Sequence, residues 1–282
     1  MQKIREFHRQ SVQDRDAFWA REAQRIHWET PFTQVLDYSR PPFARWFVGG
    51  RTNLCYNAVD RWLDTQADQP ALIWVSTEVD QEIVYTRAEL SREVNAAAAI
   101  LQHLGVTQGD RVLIYLPMIP QAAFFMLACA RIGAIHSVVF GGFASHNLAQ
   151  RIDDAEPKVI ISTDAGSRGG RPIAYKPLLD QAIAQSAHAP EHVVLVNRGL
   201  APMELTAGRD LDYATLRARH LDVQVPVVWL ESSTPSYILY TSGTTGNPKG
   251  VQRDVGGYAV ALCASMEYIF GGKPGDVYFS SS

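Results

Sequence analysis

The chain has 282 residues, 46% apolar and 10% aromatic, enough to bury a substantial core and form more than one structural unit. A net charge of −3 with no long block of like charge offers no basic field to nucleic acid and no charged interaction tail. Cys55, Cys129 and Cys263 stand far apart without CxxC spacing, which argues against a disulfide framework or a zinc site, fits a reducing compartment, and reads as three small buried residues.

The opening MQKIREFHRQ has no apolar stretch of signal-peptide type, and the longest apolar run, AAFFMLACA at 122–130, ends at Arg131, too short to cross a bilayer. A cytoplasmic protein with no membrane partner is expected. The first sixty or so residues are rich in aromatics and carry the breaker pair Pro41-Pro42, so they predict an irregular cap. Within that cap DRDAFWAREAQRI has helical spacing with Asp14 or Asp16 as cap, and NLCYNAVDRWL at 53–63 puts Leu54, Ala58 and Trp62 on one helical face.

From residue 71 strands and helices alternate. ALIWVS and EIVYT predict a hairpin, and Thr86 with Glu89 forms a capping box that opens a helix closed by Gly105. Then come a β-rich run GDRVLIYLPM, a helix over 119–132, the buried run AIHSVVF, a helix over 145–155, strand 158–162, a helix near 175–187, strand 192–196, a helix near 213–220 and strand SYILY at 236–240. Strand, helix, strand at this spacing requires parallel pairing through crossovers. The fold class is α/β, a mostly parallel sheet flanked by helices.

Strand SYILY delivers the loop TSGTTGNPKG to a strand's carboxyl end, where open α/β sheets bind ligands, and a helix is expected to begin near Asp254. Gly243, Gly246 and Gly250 allow consecutive N–H groups to face an anion; the hydroxyls of Thr241, Ser242, Thr244 and Thr245 add donors, and Lys249 adds charge. The loop is not a Walker motif, because Pro248 and Gly250 stand where that motif needs Gly and a hydroxyl. On composition alone it is either a phosphate binder or an ordinary surface loop. His136, in an apolar strand with no nucleophile at catalytic spacing, reads as a satisfied core histidine; Asp153-Asp154 reads as the exposed end of a helix.

YTSGTTGNPKG at 240–250 resembles the signature loop of the adenylate-forming superfamily, which includes acyl-CoA synthetases, luciferases and peptide-synthetase adenylation domains. VFGGF at 139–143, GSRGGR at 166–171 and PPFARWFVGGRTNLCYNAVDRW at 41–62 resemble the short-chain acyl-CoA synthetases. GVQRDVGGYAVAL at 250–262 is similar to the propionyl-CoA synthetases, since acetate-activating members carry a His-Thr pair where Arg253-Asp254 stand.

The resemblance implies a two-step reaction: a carboxylate attacks the α-phosphorus of ATP, brought with Mg2+, and the thiol of coenzyme A then displaces AMP. It implies that Thr241, Ser242, Gly243, Thr244, Thr245, Gly246 and Lys249 hold ATP and the leaving pyrophosphate, with Lys249 the catalytic cation. It also implies that Arg168, Gly169, Gly170 and Arg171, matching R-G-G-K/R, and Phe140, Gly141 and Gly142 meet the coenzyme A nucleotide. Without the resemblance, FGG reads equally as a tight strand-to-helix turn, and a solvated basic turn is the lesser alternative for RGGR. No metal ligand is expected in the chain itself.

The implied organisation is a cap of acetyl-CoA synthetase type over 1–65 and an incomplete adenylate-forming domain over 66–282. The sequence stops at GDVYFSSS, within an expected strand, and the family's acyl pocket, ribose-binding aspartate and lysine-bearing C-terminal domain are expected beyond it. The competing expectation is a non-catalytic module that binds nucleotide phosphates or a partner.

Overall fold

A computed structural model describes residues 2–139, 141–241 and 248–279, with the side chains of residues 2, 3 and 168 outside the description. The chain divides into two compact units, Met1–Asn57 with Trp229–Pro235 and Arg253–Ser282, and Ala58–Val228 with Ser236–Gln252.

The larger unit is built on a seven-stranded sheet. Its strands are β1 (Arg111–Ile114), β2 (Ile135–Val138), β3 (Val159–Thr163), β4 (His192–Val196), β5 (Asp210–Asp212), β6 (Pro235–Thr241) and β7 (Lys249–Asp254). The order across the sheet is β5-β4-β3-β1-β2-β6-β7. Pairings from β5 through to β6 are parallel, as the strand–helix alternation requires. The helices are α1 (Arg87–His103), α2 (Pro120–Ile132), α3 (Ser145–Ala155), α4 (Tyr175–Gln185) and α5 (Tyr213–His220).

The central strands β1, β3 and β4 are buried on both faces and mostly apolar, because helices cover both. Leu113, Ile160, Val193 and Leu195 pack with Leu148, Ala149 and Ile152 of α3 and Leu179 and Ala182 of α4. α1 opens on the predicted capping box, Thr86 accepting from Glu89 N–H while the Glu89 side chain returns to the Thr86 N–H. A cation buried in α2, Arg131, donates to both carboxylate oxygens of Asp60 at 2.8 and 2.9 Å, which offsets the cost of desolvating it. The predicted hairpin is Pro70–Ser76 against Gln81–Thr86, antiparallel.

The smaller unit is more regular than the expected irregular cap. Helices Gln2–Gln13 and Arg15–Glu22 precede an antiparallel hairpin, Gln34–Arg40 with Phe43–Val48, whose bend holds the cis Pro41-Pro42 bond. Asp14 occupies the N-cap of the second helix but makes no capping hydrogen bond. Ala23, Ile26 and Phe47 form one core with Ala259 and Val260 of α6 (Gly256–Tyr268), and Trp19, Trp28, Phe32 and Trp46 pack around it. The helix expected over 53–63 is broken into Leu54–Ala58, a 3-10 turn at Asp60–Trp62 and Leu63–Gln66. Val59 leaves helical geometry there, with φ −123° and ψ −66°.

The helix expected near Asp254 is α6, beginning at Gly256, and strand β7, which was not expected, precedes it. Two other expectations are corrected. No strand forms over the described residues 272–279, where the side chains of Val277, Tyr278 and Phe279 are exposed. Cys55 and Cys129 are buried, but Cys263 is exposed on α6, so only two of the three cysteines behave as small core residues.

Candidate functional site

The chain runs from β1 to β2 on one side and then places β3 on the other side of β1. Such a reversal opens a crevice at the carboxyl ends of the strands that part. The segments that leave β2, β3 and β6 at those ends therefore form the candidate site.

After β3 comes Asp164, fully buried, which accepts from the N–H groups of Arg198 at 3.1 Å, Leu200 at 2.7 Å and Ala201 at 3.2 Å, and from the Thr163 hydroxyl at 2.9 Å. Burial raises its pKa, but the backbone donors of Arg198, Leu200 and Ala165 outweigh it and hold the carboxyl below its ordinary value. From this anchor a second hairpin projects, Ala165–Arg168 against Arg171–Ala174, a two-stranded sheet of its own. Its turn is Gly169-Gly170, with φ +58° and +75°, a conformation that L side chains resist and that two-residue hairpin turns demand. The expected RGGR motif is thus a hairpin tip, with Arg168 and Arg171 as its closing pair.

Gly141 follows β2. A Cβ built on it would lie 1.8 Å from the Tyr175 hydroxyl, and one built on Gly166 would lie 2.8 Å from the same oxygen. Tyr175 therefore stands between Gly141 and the base of the basic hairpin at Gly166. Its phenol is pushed up to about 12 by burial and by the charge of Glu78, against the opposing charge of Arg198. Gly142 continues that segment; Phe140 lies outside the described residues.

The phosphate loop's two flanks lie at one end of β6 and β7. The hydroxyl of Thr241, the last residue of β6, donates to the carbonyl of Lys249, the first residue of β7, at 3.5 Å; both residues are exposed. Ser242, Gly243, Thr244, Thr245 and Gly246 lie outside the described residues. Gly250 permits close approach of β7, since a Cβ there would meet Ile238 at 3.1 Å and Tyr240 at 3.3 Å.

A row of side chains joins the two places. The Tyr240 hydroxyl donates to Asp154 at 2.6 Å, and the Arg151 guanidinium lies over the rings of Tyr240 at 5.3 Å and Phe143 at 4.5 Å. The Tyr115 hydroxyl donates to the Phe143 carbonyl at 3.3 Å, and its ring stacks on Tyr175 with centroids 4.8 Å apart. Asp154 is thus a partner of β6 rather than a mere helix end, and Asp153 accepts from His188 N–H at 3.0 Å.

His136 stacks on Tyr237 at 5.5 Å, but it is not satisfied: Nδ1 is buried without a hydrogen-bond partner. Sequence reasoning missed Asp164, Tyr175, Glu78 and Arg198, whose roles depend on contacts between residues up to 120 apart. Among the described residues no three His, Cys, Asp or Glu side chains gather as a metal site.

A family model described as AMP-binding enzyme matches residues 59–282, and one described as the acetyl-coenzyme A synthetase N-terminus matches residues 4–58. The chain belongs to the AMP-binding enzyme family. Among relatives of this family member, the propionate–CoA ligases of Salmonella typhimurium and Escherichia coli are 64% and 62% identical to it over 277 residues, 98% of this chain. It spans 44% of the length of each, less than half of these curated relatives. The human mitochondrial acyl-CoA synthetase short-chain family member 3 is 45% identical over 276 residues, which are 96% of this chain and 40% of that protein. The solved acetoacetyl-CoA synthetase from Streptomyces lividans superposes on 92% of this chain and 39% of its own, with TM-score 0.83 and 32% identity.

Proposed function

We propose that the chain supplies the pyrophosphate-facing loop and the coenzyme A nucleotide surface of a ligase that joins a short carboxylate, propionate, to coenzyme A. The observation that carries this is the approach of Thr241 to the Lys249 carbonyl at the end of β6, 3.5 Å apart, which sets the two flanks of the hydroxyl- and glycine-rich segment side by side. The identity of 64% to a propionate–CoA ligase over nearly the whole chain supports the choice of substrate. Residues 1–65 act as the cap and 66–282 as part of the adenylate-forming domain.

In this reading the carboxylate oxygen attacks the α-phosphorus of ATP, the bond from that phosphorus to the bridging oxygen breaks, and pyrophosphate leaves with the negative charge. Mg2+ enters as part of the ATP substrate. Lys249, Thr241 and the loop hydroxyls stabilise the departing charge, a contribution that oxyanion-type donors make in the transition state rather than the ground state. The thiol of coenzyme A then attacks the acyl carbon and AMP departs, while Arg168 and Arg171 at the hairpin tip pair with the nucleotide phosphates as bidentate forks. We infer a cytoplasmic reaction from the three cysteines scattered without disulfide spacing.

The test is AMP formation by this chain completed to the length of the propionate–CoA ligases it matches, supplied with propionate, ATP and coenzyme A. An absence of AMP overturns the proposal. With activity in hand, Lys249→Ala is expected to slow pyrophosphate exchange into ATP by about a hundredfold, and thiol transfer from supplied propionyl-adenylate far less. Equal loss in both half-reactions contradicts the role of Lys249.

A further inference from the structure

The hairpin over 165–174 pairs with no strand of the main sheet, and a lone two-stranded hairpin is marginal in water. The contacts that fix its tip must come from its surroundings. In a hairpin closed by a two-residue turn, the closing pair Arg168 and Arg171 is hydrogen-bonded and the next pair, Ser167 and Pro172, is not. The Ser167 N–H therefore points away from the partner strand. It finds Glu78, in the turn of the hairpin over 70–86, at 2.7 Å from Oε1.

The other carboxylate oxygen of Glu78 receives Arg198 Nη2 at 2.5 Å, and Arg198 Nη1 donates to the Ala165 carbonyl at 3.0 Å. The Arg198 side chain is 7% exposed and that of Glu78 21%. One carboxylate and one guanidinium thus grip the first strand of the hairpin at Ala165 and Ser167, just below Arg168. Arg198 is in turn set by its own N–H on buried Asp164. The tip gains a fixed direction at both ends of its rising strand, because charge-assisted Arg–carboxylate bonds specify geometry as well as energy.

We infer that Glu78, acting through Ser167 and Arg198, is the positioning residue that aims the basic hairpin tip at the nucleotide phosphates of coenzyme A. This rests on the coenzyme A role proposed for the hairpin. Glu78 touches no substrate; it decides where Arg168 and Arg171 are presented.

The experiment uses the 282-residue chain with adenosine 3′,5′-bisphosphate, the nucleotide portion of coenzyme A, and pyrophosphate as separate calorimetric probes. Glu78→Ala is expected to weaken the bisphosphate about tenfold, the scale of a lost charge-assisted hydrogen bond, while pyrophosphate binding stays near wild type; the thermal midpoint falls because Arg198 loses its buried partner, so both probes are compared below it. Glu78→Gln keeps an acceptor for Ser167 but loses the charge facing Arg198, so it is expected to fall between the two. Hydrogen exchange at the Ser167 amide should accelerate in the same order, a readout that needs no ligand. Wild-type bisphosphate affinity in Glu78→Ala overturns the positioning role alone. A wild-type chain with accelerated Ser167 exchange on substitution but no bisphosphate binding overturns the coenzyme A reading, and this inference with it.

Discussion

A half-buried imidazole and a crowded glycine show how single residues are constrained. Desolvation lowers the His136 pKa from 6.5 to about 4, and its buried Nδ1 has no acceptor that would favour the charged ring. The unfolded chain then binds a proton at this residue between those two values while the folded chain does not. Its contribution to stability is full above about pH 6.5 and is lost as pH falls toward 4, by on the order of 3 kcal/mol. Denaturant unfolding of wild type and His136→Leu at pH 7 and pH 4.5 checks this: the wild type should lose more stability between the two, and parallel losses would refute it. At Gly141 the constraint is steric. Gly141→Ala puts a methyl group 1.8 Å from the Tyr175 hydroxyl and 2.6 Å from its ring carbon, so the ring must move, at a cost of roughly 1–3 kcal/mol. Adding Tyr175→Phe removes the nearest atom and should restore part of that stability in urea denaturation; no recovery would point to backbone strain instead.

Whole elements owe their limits to terminal hydrogen bonds. α1 is seventeen residues long and rich in alanine, and its first turn is satisfied by the reciprocal Thr86–Glu89 bonds at 3.2 and 2.8 Å. Thr86→Ala should destabilise the chain by about 1 kcal/mol in urea denaturation. A loss below a few tenths of that would mean the helix is held wholly by its packing on α2. Hairpins differ from helices here: the hairpin over 165–174 is bounded by a glycine pair that its sequence announces, but its direction comes from Asp164, Glu78 and Arg198, which its sequence does not mention. The expected helix over 53–63 failed for the same reason. Its apolar spacing is helical, yet Asp60 is claimed by Arg131, seventy-one residues away, and the turn tightens to deliver it.

At the scale of the molecule, the smaller unit is assembled from three separated stretches of chain. Ala23, Ile26 and Phe47 share their core with Ala259 and Val260, and the Ser232 hydroxyl donates to the Trp46 carbonyl at 2.7 Å. The first 57 residues thus lack part of their own core. A peptide of residues 1–57 should show no cooperative thermal transition by circular dichroism; a sharp transition would show that its own aromatics suffice. The larger unit follows a rule the sequence does carry, since strand–helix–strand spacing admits only parallel neighbours.

The sequence by itself determined the local and periodic features: the capping box of α1, the strands at 192–196 and 236–240, and the two-glycine turn. Each rests on residues within a few positions of one another, where backbone preference and side-chain hydrogen bonding act directly. Tertiary structure alone decided the rest. It made residues 249–254 a strand before α6, because an extended segment can satisfy its backbone at a sheet edge that the sequence does not name. It also brought Gly141, Tyr175 and the basic hairpin together at the point where the strand order reverses, and set Glu78 against a serine 89 residues away. Such contacts depend on which strands become neighbours, and neighbourhood in a parallel sheet is fixed by how crossovers pack, not by any residue's own pattern.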